Sequence, residues 1–152
     1  MKKDVRNKEA YYALVWSKLY RFDRYTSKRI LPELSGIIAL VTKVKGREEY
    51  LMFYACWRDG MRVALQKLMD PLIDKHTEIR KQLDPDNLYY KYTPVETSIK
   101  DLQDIMFWLI KTYKPQFNDA ASFKDSERYM NISVTERTLR EGEVTERFFR
   151  PV

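Results

Sequence analysis

The stretch YACWRDGMRVAL, residues 54–65, ends one kind of structure and begins another. Its first residues close the nearly continuous apolar run EYLMFYAC (49–56), the pattern of a strand covered on both faces. An elbow follows at Arg58-Asp59-Gly60, after which Met61, Leu65 and Leu68 recur at helical spacing. A buried strand turning directly into an amphipathic helix implies strands and helices layered together.

Working outward, SGIIALVTKV (35–44) is rich in β-branched residues and is followed by Lys45-Gly46, so residues 35–56 read as a hairpin. Asp70-Pro71 has the form of an N-cap and a first-turn proline, which predicts a second helix running to about Leu83. LDPDN (83–87) is turn chemistry, and LYYKYTPVE (88–96) reads as a third strand. Ile99, Leu102, Ile105, Met106, Leu109, Ile110 and Tyr113 then mark an amphipathic helix that stops at Lys114-Pro115. Beyond a polar linker, residues 129–152 predict a terminal hairpin turning at Glu141-Gly142.

Upstream, residues 7–31 lack Gly and Pro and repeat apolar side chains at Tyr11, Val15, Leu19 and Phe22, which predicts a long N-terminal helix. The fold class is therefore α+β: a small mixed sheet flanked by helices, with an added N-terminal helix and a C-terminal β-hairpin. Three segments make one domain: a basic extension (1–34), a core (35–118), and a linker with a β tail (119–152).

The 152 residues suffice for one ordinary core. With 44% apolar and 33% charged residues, the composition is that of a soluble globular protein. No apolar run approaches the roughly 18 residues that cross a bilayer. The basic start has no apolar stretch behind it, so neither a signal peptide nor membrane attachment is expected, and the expected location is cytoplasmic. Cys56 is the lone cysteine and sits in an apolar run, as a buried inert thiol would. The net charge of +6 is localised. Residues 1–30 hold nine Lys/Arg against three acids, and the remainder balances. A basic arm points to an acidic partner, nucleic acid being the usual one.

Residues 35–118 resemble the GIY-YIG nuclease domain, in particular the kind at the start of the excision-repair nuclease subunit. The two name-giving tripeptides read Gly36-Ile37-Ile38 and Tyr54-Ala55-Cys56, and the closing phrase reads LIKTYKPQFN (109–118). The resemblance implies a hairpin carrying both tripeptides, then helices, a third strand and a closing helix. The family's chemistry uses two tyrosines, an arginine on the first helix and a glutamate that holds a divalent metal. Carried over residue by residue, the first tyrosine is Ile38, the second is kept as Tyr54, the arginine is Ala64 and the glutamate is Met106. Ile38 has no hydroxyl, and a thioether is a poor ligand for hard Mg²⁺. Arg62 lies two positions from the arginine site, about 200° around a helix. Asp104 is likewise two positions off, and Gln103 carries no charge. The resemblance thus implies a scaffold whose catalytic site is lost, with Tyr54 and Arg62 as vestigial candidates.

Other residues allow blander readings. His76 is the only histidine and has no ligand set around it, so zinc is not expected. Asp59 reads as a helix cap, and Asp101 and Asp104 as members of a solvated helix face. The sequon Asn131-Ile132-Ser133 carries no weight without secretion. Phe107 and Trp108 fall on opposite sides of the apolar stripe, so either an added element covers them or they bind a protein partner.

The first functional expectation is a catalytically inactive binding module, acting as a nucleic-acid-binding or assembly subunit without cofactor. Lys18, Arg21, Arg24, Lys28, Arg29, Arg58 and Arg62 are its candidate phosphate contacts. The alternatives are an Mg²⁺-dependent endonuclease with a rebuilt site, and a structural or protein-interaction component using Phe107 and Trp108.

Overall fold

The computed structural model describes residues 1–23, 29–69 and 87–139. Its element order is β1 (Lys2–Arg6), β2 (Glu9–Trp16), β3 (Tyr20–Arg21), β4 (Gly36–Val44), β5 (Arg47–Cys56), α1 (Gly60–Met69), β6 (Leu88–Pro94), α2 (Ile99–Tyr113) and β7 (Asn131–Thr138). The architecture is mixed α+β. Two sheets form, one ordered β1-β2-β7 and the other β3-β6-β4-β5.

Where a long N-terminal helix was expected over 7–31, the described residues 7–23 instead hold β2, the hairpin partner of β1, and β3. Ala10, Tyr12, Leu14 and Trp16 alternate and are each at most 1% exposed, while Tyr11 is 41% exposed. That period of two outweighs the coincidental spacing of Tyr11, Val15 and Leu19. Arg6 pairs with Glu9, so Asn7-Lys8 is a two-residue loop, and both residues have positive φ (49° and 64°). This is the turn that matches strand twist, and asparagine tolerates it. Lys45-Gly46 closes β4–β5 the same way, with φ of 51° and 77°.

At the other end of the chain β7 forms as expected, but its described partner is β2, in parallel, with Glu9 opposite Asn131. The expected turn at Glu141-Gly142, the helix over 71–83 and His76 lie outside the described residues.

The four-stranded sheet is buried on both faces. Ile38, Leu40, Met52, Tyr90 and Tyr92 pack on α1 through Met61, Ala64, Leu65 and Leu68. Ile37, Ala39, Val41 and Phe53 face α2 and the inner side of the other sheet. A bulge keeps this sorting. Leu40 pairs with Met52 and Val41 with Tyr50, so Leu51 and Met52 both reach the α1 side while Tyr50 and Phe53 stay on the α2 side. The chain crosses between sheets at Ser17, whose N–H donates to the Tyr92 carbonyl (2.8 Å) and whose hydroxyl accepts from the Tyr92 N–H (3.0 Å).

Helix α2 is bounded by visible signals. Ser98 accepts from the Asp101 N–H at 3.0 Å as N-cap, and Lys114 takes the left-handed conformation before Pro115.

Candidate nucleic-acid interface

The two tripeptides lie directly opposite each other: Gly36 pairs with Cys56, Ile37 with Ala55 and Ile38 with Tyr54. A Cβ on Gly36 would come 2.4 Å from the Thr93 carbonyl oxygen and 2.8 Å from the Met61 sulfur, so the glycine serves close packing of β4 on β6 and α1. Ile38 and Ala64 are buried on the α1 side, with Tyr54 half-buried beside them. Met106 is buried on the opposite side of the sheet, among the α2 residues. The four carried-over positions therefore do not converge.

Arg62 is held elsewhere. Its Nε donates to the Leu31 carbonyl at 3.0 Å and its guanidinium pairs with Glu33 at 2.9 Å. Cys56 is buried, its thiol donating to the Gly36 carbonyl, and burial pushes its pKa up to about 12. The closing phrase has a structural role. The Phe117 N–H donates to the Leu51 carbonyl, and the Asn118 amide brackets Phe53 with bonds of 2.7 and 3.1 Å, sealing the edge of β5.

The solvated-face expectation for Asp101 and Asp104 is overturned: they are 2% and 0% exposed. Asp101 accepts from Lys3 Nζ (2.7 Å), the Tyr12 hydroxyl (2.8 Å), Arg128 (3.0 Å) and the Thr97 hydroxyl (2.6 Å). Asp104 accepts from the Ser126 N–H and hydroxyl (2.7 and 2.8 Å) and from Arg128 (2.8 Å). Burial by itself would raise the Asp101 pKa, but the bonds from Lys3, Thr97, Tyr12 and Arg128 outweigh it and hold the carboxyl well below its usual range. This network joins the β1–β2 hairpin, α2 and the loop before β7. The carboxylates are fully satisfied, so they are structural. Asp59 is on the surface, paired with Lys67 at 2.8 Å.

A different set of cations is backed by rings. Lys18 Nζ stands 5.3 Å from the Tyr20 ring centroid, Lys43 4.6 Å from that of Tyr89, and Lys91 4.9 Å from those of both Trp16 and Tyr50. Among the described residues none of these three has a carboxylate within 4.0 Å, whereas Lys3, Arg6, Arg62, Lys67 and Arg128 all do. The β ladders divide them: Arg21, Tyr89 and Lys43 share the α2 side of the sheet with Val41, Tyr20 with Lys18 over its ring lies on the α1 side with Tyr90, and Lys91 is buried. Arg21 sits opposite Tyr89 and Tyr20 opposite Tyr90, Tyr89 opposite Val41, and Lys43 two residues along β4. The patch wraps edge strand β3 and runs toward the β4–β5 turn, where Glu48 stands across from Lys43. A ring attracts a cation without neutralising it, so the positive potential stays available to an outside anion.

Two expected phosphate contacts, Lys18 and Arg21, belong to this patch. Arg24 and Lys28 lie outside the described residues, while Arg29 and Arg58 are exposed away from its ladders. Lys43 and Tyr89 were missed because they come from the balanced part of the chain and only sheet pairing places them on the same face as Arg21. Trp108 is half-buried against the core and meets Tyr113 edge-on at 6.2 Å. Phe107 is half-buried with Lys111 over its ring at 4.8 Å.

Neither the curated proteins nor the solved structures contain a match to this chain. A family model described as "Uncharacterised protein" matches residues 1–146, and the chain belongs to that family.

Proposed function

We propose that the chain is a catalytically silent binding module on a GIY-YIG-like hairpin, engaging nucleic acid through the patch around Lys18, Arg21, Lys43 and Tyr89. The observation that carries this reading is that exposed Lys18 and Lys43 each rest on an aromatic ring, with no carboxylate within 4.0 Å among the described residues. The facing tripeptides support the likeness to the nuclease scaffold. Buried apolar side chains at Ile38, Ala64 and Met106, with the last on the other side of the sheet, support the loss of its chemistry.

Gel shifts with single-stranded and duplex DNA and RNA, with and without Mg²⁺ and across salt, test the reading. The expected result is binding that weakens as salt rises, without cutting, and that is weaker and less salt-dependent in a Lys18→Ala, Lys43→Ala double variant. Metal-dependent cutting removed by Tyr54→Phe would make the chain an endonuclease instead. No shift at any salt would turn attention to protein partners at Trp108.

A further inference from the structure

Lys91, unlike the exposed Lys18 and Lys43, takes no part in the proposed nucleic-acid contact. The residue is 8% exposed, yet its ammonium position has no carboxylate within 4.0 Å among the described residues. Its neighbours are the faces of Trp16 and Tyr50 and the Tyr50 hydroxyl, to which Nζ donates at 2.7 Å. Glu136 is nearby but already committed, accepting from Trp16 Nε1 at 2.8 Å and from the Tyr113 hydroxyl. Burial lowers the Lys91 pKa, with Glu48 and Glu136 acting weakly in the other direction. An ordinary structural lysine extends its charge to water or meets an acid. This one is held in an apolar, ring-lined setting, the environment in which an amine becomes a nucleophile. Tyr50 is half-buried, so the amine lies just beneath a surface that solvent reaches.

We propose that Lys91 Nζ is a nucleophilic amine that captures an aldehyde as an imine, with the Tyr50 hydroxyl relaying the proton. The Nζ lone pair attacks the carbonyl carbon, and the resulting carbinolamine oxygen is protonated through Tyr50 and leaves as water. The product is a C=N bond to Nζ. Hydrolysis reverses the step and returns amine and aldehyde, so no oxidant, reductant or metal is needed. Two sources share this chemistry: a free small aldehyde, or the ring-opened sugar of an abasic nucleotide. The second rests on the nucleic-acid reading above.

Borohydride trapping tests the proposal, since hydride reduces the imine to a stable secondary amine that peptide mapping locates. The full chain is incubated in one arm with an oligonucleotide containing an abasic site and in the other with glycolaldehyde, each with borohydride at neutral pH. The expected result is one adduct on Lys91 from the abasic strand, absent in Lys91→Arg, which keeps a cation between the rings. Tyr50→Phe should slow trapping on the order of a hundredfold, the low end of a general-acid contribution. Adduct on Lys91 from glycolaldehyde alone would support the nucleophile and overturn the nucleic-acid source. Labels scattered over surface lysines with Lys91 unmodified would overturn the proposal. If the chain still shifted an undamaged strand in that case, the binding reading would stand while this one fell.

Discussion

Two regions treat positive charge in opposite ways. Around α2, Lys3 and Arg128 are spent on buried carboxylates, with N–O distances of 2.7 to 3.0 Å. Elsewhere on the four-stranded sheet, exposed Lys18 and Lys43 rest on aromatic rings. The first region holds the two ends of the domain together and presents little charge outward. The second adds little to folding but keeps its field. Counting lysines and arginines along the chain cannot separate these uses, because charge matters to a partner only where no internal acid has taken it.

The largest break in the comparison is Asp101→Ala. It leaves Lys3 and Tyr12 without their carboxylate, with only Asp104 left to pair with Arg128, and should cost about 3–5 kcal/mol, measured by urea denaturation. In a domain of ordinary stability that is a large share of the total. The matching test in the other region is Lys18→Ala with Lys43→Ala. Stability should move by no more than about 0.5 kcal/mol per site. The log–log slope of binding against salt should become shallower by roughly 0.7–0.9 for each phosphate-neutralising lysine removed.

Proton titration sharpens the contrast. The Asp101 pKa is depressed in the folded state, so its stabilisation is fully present above the unfolded value of about 4 and is lost as pH falls below it. Denaturation midpoints should drop more steeply below about pH 4 in the native chain than in Asp101→Asn. Lys91 runs the opposite way. Its pKa is lowered by burial, so the protonated amine costs stability below the unfolded value of about 10.4 and that cost disappears as pH rises. Lys91→Met should therefore be neutral or stabilising by about 1 kcal/mol at pH 7. Its advantage should shrink toward pH 10.

The sequence by itself determined the centre of this protein. The hairpin over 36–56, α1, β6 and α2 follow from β-branched runs, the Lys45-Gly46 turn, the Ser98 cap and the Pro115 stop, all of which act within a few residues. The N-terminal hairpin was legible only in part. Ala10, Tyr12, Leu14 and Trp16 alternate, but a weaker helical spacing overlies them, and Asn7-Lys8 lacks the glycine that usually marks such a turn.

What only the tertiary structure decided is which distant residues meet. The parallel pairing of β2 with β7 links positions about 120 residues apart, and no local pattern encodes a non-local partner. That pairing covers α2, and it is what turns Asp101 and Asp104 from apparent surface acids into the buried centre of a network. The same holds for the ring-backed patch. Arg21, Lys43 and Tyr89 are scattered in the sequence, and they share a face because adjacent strands set residues from remote segments side by side.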